Sequence, residues 1–272
     1  MTSVPGIQEL QELAYGKGYD YRSGAPHLKH PRLYDWFSVL LREELRHVSA
    51  LDLPMTVLEV GAGDGAFVEP LLATGASVTG TEMSRSSIEA LETRFGSNPS
   101  FDAVFDPDGS FASVGDHRFA IILYASVLHH IPDYSTAIEN ACKRHLLSGG
   151  TLLTLQDPLW YPSLPPGVHA ASEAMYLSWR ITRGGFLRGM ASRARRIRND
   201  LRTDQPGDMV EYHVVRDGVN QNSIERLLQP HFEHVKITSY WSTHAGIWQA
   251  VGQRLGLRNT FAVQARGYHR KR

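Results

Sequence analysis

The sequence predicts an α/β protein with a mostly parallel sheet and helices on both faces. Three observations carry this. Between residues 56 and 156, short apolar strands alternate with segments of helical spacing, the pattern of a parallel sheet joined by crossover helices. The stretch FAIILYA (119–125) is apolar throughout, as a strand covered on both faces must be. The strand at 56–60 runs into VLEVGAGDG, where glycine recurs at every second position.

Each element follows from its own residues. Residues 32–48, RLYDWFSVLLREELRHV, set Leu33, Trp36, Phe37, Leu40, Leu41, Leu45 and Val48 at helical spacing, after a loop YDYRSGAPHLKHP. TVLEV (56–60) is the first strand. GAFVEPLLATG is a helix ending at Gly75, with Pro70 tolerated in a first turn whose N–H groups lack partners. SVTGTEM (77–83) is the second strand, and SRSSIEALETRFG a helix capped by Ser84. FDAVF (101–105) and FAIILYA (119–125) are the third and fourth strands. DYSTAIENACKRHLLSGG is a helix with Gly149 as its C-cap, and TLLTLQ (151–156) the fifth strand. After Asp157 the rhythm changes. Residues 158–205 read as an insertion on the active-site side and include the basic stretch FLRGMASRARRIRNDLR. EYHVV (211–215), VKITSYW (235–241) and TFAVQAR (260–266) read as strands that complete the sheet, with the helix NSIERLLQ between the first two. The whole is expected to be one domain.

Bulk properties narrow the partners. The 272 residues carry 28 Lys+Arg and 28 Asp+Glu, so net charge does not advertise a nucleic acid or a membrane. The single cysteine, Cys142, excludes an internal disulfide and reads as buried packing. The start, MTSVPGIQELQELAYG, lacks the basic and apolar regions of a secretory signal. No apolar run approaches the roughly 18 residues of a membrane span. The expectation is a soluble, cytoplasmic protein.

Glycine interrupts regular structure at an entropic cost, so three of them at Gly61, Gly63 and Gly65 mean that something approaches the backbone closely. A nucleotide-like ligand over a strand end and a helix N-terminus meets that description. The spacing is not the G-x-G-x-x-G of dinucleotide sites. It is acidic-x-G-x-G-x-G, with Glu59 two residues before Gly61. A carboxylate there repels a pyrophosphate and welcomes an ammonium.

This motif resembles that of the class I S-adenosylmethionine-dependent methyltransferases, and the likeness continues in order over about residues 55–157. Glu82 ends the second strand, where the family binds both ribose hydroxyls. Asp106 follows the third, where the family holds the adenine amino group. FAIILYASVLHHIPD (119–133) resembles the fourth strand and its loop, and LLSGGTLLTLQDP the turn into strand five, with Ser148 in place of proline. The resemblance implies a Rossmann-like, mostly parallel seven-stranded sheet, an N-terminal helical lid within residues 1–52, a core over 53–157, the helical insertion at 158–205 and closing strands in 206–272. It implies S-adenosyl-L-methionine, leaving as S-adenosyl-L-homocysteine, held by Glu59, Gly61, Ala62, Gly63, Gly65, Glu82, Met83, Asp106, Tyr124 and Ala125. The lid would draw on Tyr15, Tyr19, Tyr21, His27, Lys29 and His30.

Methyl transfer to an alcohol needs a base, and histidine oriented by a carboxylate suits it. His129 and His130 follow strand four and Asp157 follows strand five, so all three face one crevice. The arrangement is similar to that of bacterial natural-product methyltransferases acting on sugar hydroxyls. His129 is the favoured base, and His130, beside Ile131 and Pro132, braces the loop. Trp160, Tyr161, Tyr176, Trp179, Tyr212 and Trp241 offer aromatic faces to an acceptor, a small metabolite or carbohydrate. Glu211 and His213 share a strand face and could join the site. Asp157 and Glu211 together offer oxygen ligands to Mg2+, although histidine at such a site argues against it. Arg183, Arg188, Arg193, Arg195, Arg196, Arg198 and Arg202 form a solvated face or a clamp for an acidic acceptor. Residues 158–205 could serve as lid, homodimer contact or both. Competing readings are N- or C-methylation, a cofactor-bound module without activity, and an NAD-dependent oxidoreductase, against which Glu59 and the glycine spacing speak. Nucleic-acid methylation lacks an Asn-Pro-Pro-Tyr-like motif.

Overall fold

The computed structural model describes residues 8–9, 12–13, 16, 21, 25–182 and 217–270, with the main chain alone for 176–182. The strand expected at 211–215, the arginine-rich stretch 183–202, Tyr15 and Tyr19, Glu211, Tyr212 and His213, and the side chains of Tyr176 and Trp179 lie outside this description.

Seven strands form a single sheet: β1 (Thr56–Val60), β2 (Ser77–Glu82), β3 (Phe101–Phe105), β4 (Phe119–Ala125), β5 (Leu146–Pro158), β6 (Phe232–Tyr240) and β7 (Thr260–Tyr268). Their order is β3-β2-β1-β4-β5-β7-β6. The first five pair in parallel, and β7 runs antiparallel to both β5 and β6. The order reverses between β1 and β4, which is where an open parallel sheet leaves a crevice beyond its strand ends.

Alternation along the strands builds two apolar layers. On one face α1 (Pro26–Lys29) leads into α2 (Pro31–Ala50), which packs with α3 (Val68–Leu72) and α4 (Arg85–Phe95). Phe37, Leu41, Val48, Val68, Leu71 and Leu91 from these helices meet Val57, Ile121, Leu123, Leu153 and Leu155 from the strands. On the other face α5 (Tyr134–His145) and α7 (Gln221–Leu228) bring Ile138, Ala141, Ile224 and Leu228 against Leu58, Ile122 and Leu152. Burial of each large side chain contributes about 1.5–3 kcal/mol. α6 (Pro166–Thr182) follows β5 as the expected helical insertion begins, and α8 (Gly246–Arg254) lies between β6 and β7. Among the described residues no helix is long and apolar enough to cross a membrane.

The capping residues behave as their chemistry dictates. The Ser84 hydroxyl accepts from the Ser87 N–H at 3.1 Å, opening α4. One expectation needs correction. Gly149 does not cap α5, which ends at His145; Leu146 already pairs with Phe119 in the sheet. The register of β4 and β5 shifts just beyond that pair, and Gly149 takes φ +79 within the irregularity. At Gly150 a Cβ would stand 2.8 Å from the carbonyl oxygens of Ala120 and Leu147. The glycines let a strand bend rather than a helix stop.

α2 is fastened to the far end of the chain. Glu44, fully buried in α2, accepts from Gln264 Nε2 at 2.7 Å and from Arg266 Nε and Nη2 at 2.8 Å each, both residues on β7. Removing one partner of such a pair leaves an uncompensated buried charge. Arg266→Leu is therefore expected to lower stability by about 3 kcal/mol, measured by urea denaturation at pH 7. Arg226→Leu, at an exposed position of α7, serves as the neutral control.

Candidate active site

The glycine loop leaves β1 with Gly61, Gly63 and Gly65 at φ +67, +58 and +78, conformations that favour glycine. Gly61 and Ala62 N–H groups both donate to the Thr81 carbonyl, tying the loop to β2. A Cβ on Gly61 would lie 2.7 Å from Val127 Cγ2 in the loop after β4. One on Gly63 would lie 2.9 Å from the ring of Tyr21, so an N-terminal residue stands directly over the loop. The Tyr21 hydroxyl lies 3.2 Å from that of Ser87, and Ser86 donates to Glu12.

Three carboxyl groups end three adjacent strands. Glu82 Oε1 accepts from the Gly63 N–H at 2.8 Å, and Oε2 from the Met83 N–H at 2.9 Å. Glu59 Oε2 and Asp106 Oδ1 are buried with no hydrogen-bond partner among the described residues. Asp106 Oδ2 accepts from Phe111. Burial pushes Glu59 up to about 8, helped by the negative charges of Asp64 and Glu82. Burial also raises Glu82 and Asp106, against the backbone N–H groups that favour their charged forms. Orphaned acceptors of this kind ask for hydrogen-bond donors. A ligand bringing an ammonium, a ribose diol and an exocyclic amine supplies that set, so the residues fit S-adenosylmethionine.

Across the crevice the loop after β4 and the end of β5 meet. His129 Nδ1 is 2.8 Å from Asp157 Oδ1, and the His129 main-chain N–H donates to the same oxygen at 3.1 Å. The Asp157 side chain is fully buried and that of His129 is 12% exposed. With the carboxylate accepting, Nδ1 carries the proton and Nε2 is the basic nitrogen. Burial pushes Asp157 up to about 7, and the His129 N–H and the charge of His130 pull against it. The His130 ring lies 3.9 Å from that of His129, centroid to centroid.

The other sequence-derived candidates divide. Ala62 lies in the glycine loop two residues past β1, and Ala125 ends β4. Tyr124, offered as a cofactor contact, turns its phenol into the core, where the hydroxyl is buried without a hydrogen-bond partner among the described residues. Its place in a strand covered on both faces leaves the side chain no other course. Trp160 and Tyr161 follow β5, half-buried, with the Tyr161 ring 4.6 Å from that of His169. Trp241, offered to the acceptor, packs beneath α8 instead. It is 2% exposed, its indole donates to the Trp248 carbonyl at 3.0 Å, and Gly252 makes room for it. For magnesium, Glu211 lies outside the described residues, and among those described no group of three or more His, Cys, Asp or Glu could hold a metal. Cys142 is buried, as expected.

Two residues not singled out for chemistry stand at the site. His27, expected only within a lid, is 4% exposed and stacks on Phe67. Burial lowers it to about 3, with His129 and His244 opposing a further positive charge, so its imidazole is neutral. His30 Nε2–H donates to the Thr243 carbonyl at 2.6 Å, fastening the N-terminal segment beside the end of β6. No sequence pattern marks His27, because its environment is assembled from four separate segments.

A family described as a methyltransferase domain matches residues 29–199, more than half of the chain. A ubiquinone biosynthesis O-methyltransferase of Chelativorans sp. (strain BNC1) is 32% identical over 99 residues, which span 36% of this chain and 38% of that protein. Its counterpart in Thiobacillus denitrificans (strain ATCC 25259 / T1) is 28% identical over 95 residues, 35% of this chain and 40% of that protein. The matches thus span about two fifths of those relatives' length. The plantazolicin methyltransferase BpumL in complex with SAH superposes with a TM-score of 0.54 at 12% identity, over 96% of this chain and 95% of that one. The N-methyltransferase NodS of Bradyrhizobium japonicum WM9, also with S-adenosyl-l-homocysteine, gives 0.52 at 15% identity, over 96% and 97%. At those identities the likeness is one of fold.

Two measurements probe this geometry. Gly61→Ala should destabilise more than Gly109→Ala. Both glycines have positive φ, +67 and +70, but only Gly61 has a neighbour in the way. Left-handed strain costs about 1–2 kcal/mol, and urea denaturation of the pair isolates the close approach to Val127. Glu59 makes stability fall with pH. Its folded value of about 8 exceeds the ordinary 4.5, so its contribution is complete below 4.5 and lost as pH rises through 8. Melting temperatures of the ligand-free protein between pH 6 and 9 should decline less in Glu59→Gln than in wild type.

Proposed function

The chain belongs to the class I S-adenosylmethionine-dependent methyltransferases, and we propose that it methylates a hydroxyl of a small metabolite or carbohydrate, with His129 as general base and Asp157 orienting it. The observation that carries this reading is the 2.8 Å contact of His129 Nδ1 with a fully buried Asp157 carboxylate. S-adenosylmethionine, when bound, supplies a methyl group on a positively charged sulfur, open to in-line displacement by a nucleophile. Every other requirement falls to side chains of this chain.

Glu82, its two oxygens already oriented by Gly63 and Met83, keeps a lone pair on each for the ribose hydroxyls. Glu59 receives the ammonium and Asp106 Oδ1 the adenine amine. The acceptor hydroxyl gives its proton to His129 Nε2 as its oxygen attacks, and Asp157 stabilises the resulting imidazolium. His27, held neutral by burial, adds no competing positive charge beside that imidazolium. Trp160 and Tyr161 present aromatic faces to the acceptor. The curated O-methyltransferase relatives support an oxygen acceptor, over about a third of this chain.

Titration calorimetry tests the cofactor half. S-adenosylhomocysteine should bind, NAD should not, and Glu82→Ala should abolish the heat. At pH 7 Glu59 holds a proton that an ammonium displaces, so the binding enthalpy should vary between buffers of different ionisation enthalpy. Absence of binding to folded protein would overturn the cofactor assignment. For the base, turnover of a screened hydroxylated acceptor should fall about 10²–10⁴-fold in His129→Ala, with S-adenosylhomocysteine affinity retained. Undiminished turnover would remove His129 from the chemistry.

A further inference from the structure

Resting on the reading of His129 and Asp157 as the base pair, we propose that Tyr240 is a positioning residue that aims Asp157 at His129 through Gln156. Regular alternation along β5 would point Asp157 the wrong way. Leu153 and Leu155 belong to the apolar layer under α2, whereas Leu152 belongs to the opposite layer. Period two would return residue 157 to the α2 side with Leu153 and Leu155. The pairing of β5 with β7 breaks this phase. Thr154 lies opposite Val263 and Asp157 opposite Phe261, so three steps along β5 match two along β7. That extra residue is a bulge, a device that re-aims side chains beside active sites.

Gln156 makes the bulge. It has φ +67, a left-handed conformation that a non-glycine residue keeps only when its surroundings enforce it. Tyr240 supplies the enforcement from β6, two strands away and beyond β7. Its hydroxyl accepts from the Gln156 main-chain N–H at 2.9 Å and donates to Gln156 Oε1 at 3.2 Å. Ser242 Oγ takes the remaining amide, accepting from Gln156 Nε2 at 2.7 Å. The tyrosine ring is itself fixed edge-on by Trp36 and Phe37 of α2, at 4.8 and 5.8 Å. Burial keeps its phenol protonated, so it can both donate and accept. Leu155 and Gln156 therefore sit in succession on the α2 side, and the next residue, Asp157, is turned away from it toward the loop after β4. There its Oδ1 meets the His129 main-chain N–H and the ring Nδ1. The Tyr240 hydroxyl bonds to Gln156 and acts on His129 through Asp157.

The test needs no acceptor. Ring nitrogen-15 shifts of His129 are recorded at one pH in histidine-labelled protein, with His129→Gln for assignment. The variants are Asp157→Asn, Tyr240→Phe and their combination. Tyr240→Phe keeps the ring that packs on Trp36 and Phe37, and melting curves verify the fold. Ser242→Ala, which removes one bond to the Gln156 side chain, gives a graded second variant. Asp157→Asn should move the His129 shifts. Tyr240→Phe should move them the same way by at least half as much, and Ser242→Ala by less. In the Asp157→Asn background, Tyr240→Phe should add nothing, because its effect passes through the lost carboxylate. His129 shifts at wild-type values in folded Tyr240→Phe would overturn the positioning role, as would full additivity in the combined variant. Unmoved shifts in Asp157→Asn would overturn the base pair itself, and the positioning role with it.

Discussion

β1 and β4 lie side by side at the centre of the sheet, in register from Val57 with Ile121 to Val60 with Tyr124. What the site contains follows from where these two strands stop. The glycine loop leaves one and the histidine loop leaves the other, and they converge at Gly61 and Val127. A side chain at residue 61 would force them apart. β5 joins β4 in parallel, and the Ser126 N–H bonds to the Leu155 carbonyl at 2.7 Å, so the histidine loop and the end of β5 are held together by main chain. Parallel pairing brings these strand ends, and with them the glycine loop, His129 and Asp157, to one edge.

That edge is electrostatically unfinished in the protein alone. Glu59, Asp106 and Asp157 are buried carboxyl groups and Glu82 is half-buried, each raised by desolvation. Among the described residues only Asp157 has an imidazole in hydrogen-bond contact that can answer its charge. Among those residues Glu82 and Asp106 are offset by main-chain N–H groups, and Glu59 Oε2 has no partner. A ligand rich in donors and carrying positive charge would relieve this frustration, so groups that depress stability on their own would favour its binding.

What could be read from the residues alone was what local pattern encodes. The five parallel strands, the Ser84 cap, the glycine loop and the meeting of His129 with Asp157 each rest on periodicity, on a short motif or on the rule that parallel strands end together. Long-range facts left no such trace. Nothing in TSYWST announces that Tyr240 reaches a glutamine 84 positions earlier, or that Trp241 is sealed beneath a helix. Tyr124, one residue before the end of β4, is offered by the family resemblance alone, and the packing of α5 against that strand takes its phenol into the core. Gly149 looked like a cap because a glycine after a helical run usually is one. Leu146 had already entered the sheet.

β7 is the last of the seven strands in the chain, yet its place is in the interior, between β5 and β6. Gln264 and Arg266, which answer the buried Glu44 of α2, both lie on it, some two hundred positions later. During synthesis the ribosome therefore delivers the cofactor loop, the histidine loop and β5 while β5 still shows an open edge and Glu44 has no counter-charge. Such an edge invites pairing with other chains. A nascent chain stalled before residue 260 would carry the glycine loop, the histidine loop and Asp157 on a sheet whose β5 edge β7 has not yet covered.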